Sequence, residues 1–283
     1  STFATGGGST FATGGGSTFA TGGGSTFATG GGTTLGLTFI ICSFFFALAT
    51  LAFFNWFIKK LIFMFSKEQI IQFKEEGFVI IRNLLDKKEI DLLIQYTEEL
   101  QNTPVVSGKE WKYFEESKLD KNKNILARIE NFCKFHKGFS NLCTKDKIIE
   151  CINDCLGEEG VLFKDKINFK MPGGAGFSPH QDSQAGWDDY AKFYLTAMVS
   201  IDEATLQNGC LELAPGHNRT GLIGKLWEPL SDKEMENMKF IRITTKPGDA
   251  IFFDCYTPHR SESNLTSKPR RILYLTYNKL SDG

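Results

Sequence analysis

Lys166-Ile-Asn-Phe-Lys-Met171 alternates polar and apolar residues without interruption, the pattern of a strand with one buried and one polar face. Lys166, Asn168 and Lys170 fall on one side, and Ile167, Phe169 and Met171 on the other. Further β-rich segments follow at Phe193–Ile201, Cys210–Ala214, Phe240–Thr245, Ala250–Asp254 and Arg271–Tyr277, with Gly- and Pro-containing turns among them. Short strands in this series, after a helical start, predict a mainly β fold with flanking helices: a double-stranded β-helix, or cupin-like jelly roll. Such a barrel takes ligands into its mouth, so polar residues on inward strand faces become candidates for substrate contact.

The helical start is marked by caps. Ser66 with Gln69 reads as a capping box opening a short helix that Gly77 closes, and Phe78–Ile81 is β-rich. Asp86 with Glu89 opens a longer helix on which Ile90, Leu93, Thr97 and Leu100 form one stripe. Residues 103–125 are polar and aromatic and read as a loop near the pocket. Thr144 is expected to start another helix that ends before Gly157, with Cys151 and Cys155 packing in the core.

The chain upstream of Met64 is a different material. Four copies of Ser-Thr-Phe-Ala-Thr-Gly-Gly-Gly fill residues 1–32 without a charge, and residues 1–34 are expected to be disordered, since a Gly-rich octapeptide has too little apolar surface to offset chain entropy. Residues 35–63 are apolar. Leu35 to Ile58 is long enough to cross a bilayer, and Lys59-Lys60 would then hold the following domain on the cytoplasmic side. Two expectations stand for this segment: a membrane anchor, or a non-native extension preceding a domain of residues 64–283. Lys59 and Lys60 are the only charges before Met64, which leaves 30 basic and 33 acidic residues in that domain and no electrostatic footprint for nucleic acid. Seven cysteines, an odd number without zinc-type pairing, point to reduced thiols and a cytoplasmic domain. Of two glycosylation sequons, Asn218-Arg-Thr220 and Asn264-Leu-Thr266, the second falls between His259 and Arg270, and neither is expected to be modified.

The chemistry concentrates in His180-Gln181-Asp182 and in His259, 77 positions after Asp182. Residues i and i+2 of a strand point to the same side, so His180 and Asp182 can reach one metal. Two imidazoles and a carboxylate can occupy one face of an Fe(II) octahedron and leave three positions open. Arg270, eleven residues past His259, would offer a forked cation to the far carboxylate of a 2-oxo acid. An isolated His-x-Asp is weak, since roughly one chain in five with four histidines contains it by chance. Its surroundings carry the weight.

Those surroundings are Met171-Pro-Gly-Gly-Ala-Gly-Phe-Ser-Pro-His-Gln-Asp182, Asn208-Gly-Cys-Leu-Glu-Leu-Ala-Pro-Gly-His217, Pro247-Gly-Asp-Ala-Ile-Phe-Phe-Asp-Cys-Tyr-Thr-Pro-His259 and Pro269-Arg-Arg-Ile-Leu-Tyr-Leu-Thr-Tyr-Asn278. In this order they resemble the phytanoyl-CoA dioxygenase family of Fe(II)/2-oxoglutarate oxygenases. The resemblance implies that His180, Asp182 and His259 bind Fe(II), and that 2-oxoglutarate and O2 are co-substrates, with ascorbate as a candidate reductant for the iron. It implies Arg270 and Ser261 as holders of 2-oxoglutarate, with Asn168 a further carry-over. Succinate and CO2 would accompany hydroxylation of an unactivated C–H bond. A carboxylate at Asp182 argues against halogenation, for which that coordination place is vacated. His136 and His217 are expected to serve structure.

Gln184-Ala-Gly-Trp-Asp-Asp-Tyr190 is the expected substrate-facing segment, with Trp187 and Tyr190 covering the metal and Asp188 or Asp189 available to an amine. The Pro-Gly-Gly-Ala-Gly-Phe-Ser-Pro-His-Gln-Asp run with Ala-Gly-Trp is similar to 2-aminoethylphosphonate dioxygenases, and Lys170, Arg219 or Arg260 would then meet phosphonate oxygens. A fatty acyl-CoA hydroxylase and a non-enzymatic jelly-roll binding module remain open alternatives. The expected partner is a small molecule. Nucleic acid is not expected, and membrane contact only through residues 35–58.

Overall fold

The computed structural model describes residues 64–145 and 147–282. The octapeptide repeat and the apolar run of residues 35–58 lie outside them. Among the described residues no helix is long and apolar enough to cross a membrane.

Two helices open the described chain where their caps predict. Helix α1 (Lys67–Glu76) begins at a complete Ser66/Gln69 capping box and ends at Gly77, which takes φ 84°. Helix α2 (Lys87–Asn102) begins at an Asp86/Glu89 box and buries Leu93, Thr97 and Leu100. The expected helix from Thr144 is instead two helices, α3 (Lys137–Lys145) and α4 (Lys147–Leu156), with Thr144 in the last turn of the first. Cys151 is fully buried in α4.

Eleven strands are described: β1 (Phe78–Ile81), β2 (Trp111–Glu116), β3 (Asn124–Glu130), β4 (Gly160–Lys170), β5 (Phe177–His180), β6 (Tyr194–Ser200), β7 (Leu211–Leu213), β8 (Ile241–Ile243), β9 (Ala250–Asp254), β10 (His259–Ser261) and β11 (Arg270–Lys279). They form a seven-stranded sheet in the order β1-β9-β6-β11-β4-β3-β2 and a four-stranded sheet in the order β5-β10-β7-β8. All described strand pairs are antiparallel. This is the double-stranded β-helix with flanking helices. The predicted loop at 103–125 instead holds β2 and the start of β3, a hairpin that extends the larger sheet.

Both faces of the central strands are buried. Leu195, Ala197 and Val199 of β6, Phe252 of β9 and Leu273 and Leu275 of β11 join Leu93, Phe139 and Ile152 of the helices in the larger apolar cluster. The opposite faces supply Met198, Ile251, Phe253, Ile272 and Tyr274, which meet Leu211, Leu213 and Ile243 of the smaller sheet. A strand packed on both sides reads as a continuous apolar run, which β6 and β9 do. At about 25 cal/mol per Å² of apolar surface buried, this double packing makes the larger sheet a rigid floor for the barrel mouth.

Candidate metal centre

His180 ends β5, His259 begins β10, and the ladder between these strands makes the two histidines direct partners. Their ring centroids are 4.2 Å apart. Asp182 starts the 3-10 turn Asp182–Ala185 just past β5, and its Oδ1 lies 4.0 Å from His180 Nε2 and 3.9 Å from His259 Nε2. One ligand atom from each residue falls within 4.8 Å of the others. The sequence-predicted trio is thus brought together.

The imidazole tautomers follow from their partners. His180 Nδ1 donates to the Ser178 carbonyl at 2.7 Å and His259 Nδ1 to the Thr257 carbonyl at 3.0 Å. A carbonyl can only accept, so the proton sits on Nδ1 and each Nε2 keeps a lone pair toward Asp182. Burial, then the neighbouring His180, pushes the pKa of His259 down to about 4, which keeps its ring neutral at physiological pH. Burial alone would raise the Asp182 carboxyl, but His259, Lys166 and His180 bring it below its ordinary value. Thr196 Oγ1 of β6 donates to Asp182 Oδ2 at 3.3 Å.

The inward faces of β4 and β11 build the wall behind this centre. Their register sets Lys166 opposite Tyr274, Asn168 opposite Ile272 and Lys170 opposite Arg270. Arg270 is 1 % exposed, and none of its three guanidinium nitrogens has a hydrogen-bond partner among the described residues. Asn168 Oδ1 is likewise buried without one. A buried, unpaired guanidinium is costly, and a bidentate carboxylate is the ligand its fork fits. Arg271, one residue on, points to the other face and is held by Asp202 at 2.8 Å. The donor set therefore suits Fe(II), and the orphaned Arg270 suits a dicarboxylate co-substrate.

The other expected residues separate. Asn168 and Ser261 line the inner chamber with His180, Asp182, His259, Thr196 and Tyr274. Lys170 does not line it: its amino group, beside Arg270, donates to Ser261 Oγ at 2.7 Å and to the Glu262 carbonyl. Trp187 lines both the inner chamber and an outer vestibule of about 350 Å³, packed edge-on against Phe163 and Tyr194. Asp188 is exposed, as is Tyr190, and neither lines these cavities. Arg260 is paired with Glu212 at 2.9 Å, and Arg219 is exposed. His136 caps α3, its Nδ1 accepting from the Phe139 amide. Asn264 is fully buried, its amide nitrogen donating to the Lys170 and Lys268 carbonyls.

Sequence reasoning passed over Arg128, Lys164, Thr196, Tyr274 and Trp227. Lys164 was within reach: the β4 alternation simply continues two residues upstream of Lys166. The vestibule roof is a loop that Gln181 and Gln184 hold through main-chain atoms. Gln181 binds the Gly221 and Tyr256 carbonyls and the Ile223 amide; Gln184 binds the Lys225 and Glu228 carbonyls.

The family model of phytanoyl-CoA dioxygenase matches residues 73–272. A 2-aminoethylphosphonate dioxygenase of an uncultured bacterium is 38% identical over 222 residues, covering 77% of this chain and 84% of that protein. A methylphosphonate hydroxylase of Gimesia maris is 34% identical over 219 residues, covering 77% and 82%. Among solved structures, EctD from S. alaskensis with 2-oxoglutarate and 5-hydroxyectoine has a TM-score of 0.66 at 23% identity, covering 77% of each chain. That likeness extends to the fold.

Proposed function

The chain belongs to the phytanoyl-CoA dioxygenase family and is a 2-oxoglutarate-dependent dioxygenase of the iron type; from this we propose that it hydroxylates a small phosphonate, with 2-aminoethylphosphonate the first candidate. In this reading His180, Asp182 and His259 hold Fe(II), and Arg270 holds the far carboxylate of 2-oxoglutarate, helped by Ser261 and Asn168. One observation carries it: two free Nε2 atoms and a carboxylate converge in a chamber whose wall strands also bear an unpaired buried arginine.

When bound, iron with 2-oxoglutarate and O2 supplies the oxidising power for hydroxylation, with succinate and CO2 as co-products. The chain's own residues aim and protect that chemistry. The Ser178 and Thr257 carbonyls fix the imidazole planes, and Thr196 fixes the second Asp182 oxygen. Phe253 and Leu211 close the chamber on the apolar side, which limits water. Trp187 stands between chamber and vestibule as a substrate-facing wall.

The substrate assignment draws on the two phosphonate-acting relatives and on the vestibule itself. Arg128, Lys164 and Lys166 line it beside Phe177, Trp187 and Trp227, a mixed surface whose cations suit an anionic head group. We assign the catalytic domain to residues 64–283 and to the cytoplasm, a reading supported by the odd number of cysteines without zinc-type pairing. Ascorbate belongs in the assay to keep the iron reduced. The test is succinate release, with Fe(II), 2-oxoglutarate and ascorbate, across phosphonates, acyl-CoAs, amino acids and amines. Stimulation by phosphonates alone is expected, and stimulation only by an acyl-CoA would overturn the assignment.

A further inference from the structure

Strands β3 and β4 pair with Arg128 opposite Asn168 and Glu130 opposite Lys166. Directly opposed residues share a face, as do residues two apart, so Arg128, Glu130, Lys164 and Lys166 all project to the barrel mouth. Three cations thus surround one carboxylate. Glu130 is 5 % exposed, and its Oε1 lies 3.0 Å from Arg128 Nε and 3.3 Å from Lys164 Nζ. The first of these contacts lacks hydrogen-bond geometry: Arg128 Nε and Glu130 Oε1 are both buried without a hydrogen-bond partner among the described residues.

Lys166 has less still. It forms no ion pair with a described carboxylate, and its ammonium lies over the Tyr274 ring at 4.9 Å. Asp182 is the carboxylate that acts on it most strongly, and a bound metal would neutralise that charge. The group therefore holds two positive charges in excess of Glu130. A partly buried wall with more cations than carboxylates lowers stability unless a ligand completes it.

Their position identifies the ligand's role. Arg128, Lys164 and Lys166 line the vestibule together with His180 and Asp182, and Lys164 and Lys166 reach the inner chamber as well. We propose that Arg128, Lys164 and Lys166 form the subsite for a doubly charged tetrahedral anion, the phosphonate head of the prime substrate. The subsite deepens the phosphonate reading above and rests on it for the identity of the substrate. Two excess charges match a dianion, and three cations on adjacent strands match the several oxygens of a tetrahedral head better than the two of a carboxylate.

The decisive measurement is calorimetric titration of methylphosphonate into the full enzyme loaded with Fe(II) and 2-oxoglutarate under anaerobic conditions. Lys166→Met should weaken binding at least about tenfold, and Lys166→Arg should retain it within about threefold, because a charge-assisted contact contributes roughly 1.5–3 kcal/mol. Lys164→Met should act in the same direction. Thermal unfolding separates loss of the subsite from loss of the fold. Wild-type affinity in Lys166→Met, no methylphosphonate binding by the wild type, or acetate binding as tightly as methylphosphonate would each overturn the subsite. Binding that needs Lys166 without hydroxylation of any phosphonate would keep the subsite and sink the substrate assignment. Phosphonate hydroxylation with an unchanged KM in Lys166→Met would do the reverse.

Discussion

Arg270 stands directly opposite Lys170 across the β4–β11 ladder, two buried basic side chains side by side. Only one of them is satisfied by protein. Lys170 is held by Ser261 Oγ and main-chain carbonyls, whereas the Arg270 guanidinium has no hydrogen-bond partner among the described residues. The unpartnered Arg270 guanidinium explains why a di-anionic co-substrate would be drawn here.

Arg270→Ala should raise the 2-oxoglutarate requirement by roughly 10- to 100-fold, since a charge-assisted bidentate contact contributes about 1.5–3 kcal/mol. Steady-state KM for 2-oxoglutarate, with iron content checked, measures it. Arg271→Ala should leave that KM alone and lower stability instead, because Arg271 is engaged with Asp202 and Glu98. The opposite assignment of the two defects would mean the inward register is wrong.

Asp182→Ala removes the only anionic member of the candidate metal centre and leaves the Thr196 hydroxyl without that acceptor. Succinate production coupled to hydroxylation should vanish while the fold survives, because the residue lies at the barrel mouth. Wild-type turnover in this variant would end the metal assignment.

Burial, reinforced by Arg270, pushes the pKa of Lys170 from 10.5 to about 6. Between those values the unfolded chain holds a proton that the native chain does not. Stability of the ligand-free protein should therefore rise with pH from about 6 toward 10, by up to about 1.4 kcal/mol per unit for this one group. Lys170→Met should flatten that slope in urea titrations at pH 7, 8 and 9. An identical slope in the variant would show that Lys170 is protonated when native.

Gly209 has φ +75°, and a Cβ built there meets the Glu262 carbonyl, the same oxygen that accepts from Lys170. Gly209→Ala should cost at least about 1–2 kcal/mol from the left-handed backbone alone. Because the strain falls on a carbonyl that anchors Lys170, 2-oxoglutarate affinity should fall with it. A thermal midpoint equal to wild type would contradict this.

A chain beginning at Met64 should stay in solution with full activity. The Met64 and Phe65 amides bind Asp154, and Phe65 packs edge-on against Phe252 at 5.4 Å, so the folded domain is tied down from its first described residue. Sedimentation without detergent and succinate release compare it with the full chain. An insoluble or inactive truncation would place residues 35–63 in the fold.

What could be read in the sequence was what short-range physics dictates. Capping boxes at Ser66 and Asp86 set helix starts, and the clean alternation of β4 assigned Asn168 and Lys170 to the inward face. The β2–β3 hairpin was not legible, because Trp111, Phe114 and Glu116 are all exposed and the two-residue alternation of a half-buried strand is absent. Strands β5 and β10 are four and three residues long, too short for periodicity, and β5 contains Pro179. Alternation also gives side but not depth. It could not tell that Lys170 is engaged by Ser261 and Glu262 while Lys166 and Lys164 line the inner chamber and vestibule. The separation of Asp188 and Tyr190 from the cavities depends on how the turn after Asp182 leaves the barrel, which no local pattern records.

The roof over the vestibule is hung from two glutamines whose bonds all end on main-chain atoms. Gln181, pointing away from the candidate metal centre because both its neighbours point toward it, and Gln184, one turn on, bind residues 221–228 through main-chain atoms. Two glycines fix what that loop must keep: a Cβ at Gly224 would meet Gln184 Nε2 at 2.5 Å, and Gly221 takes φ +71°. Exposed positions such as Leu222 and Leu226 can therefore change the surface that meets a substrate without re-engineering the turn that carries Asp182.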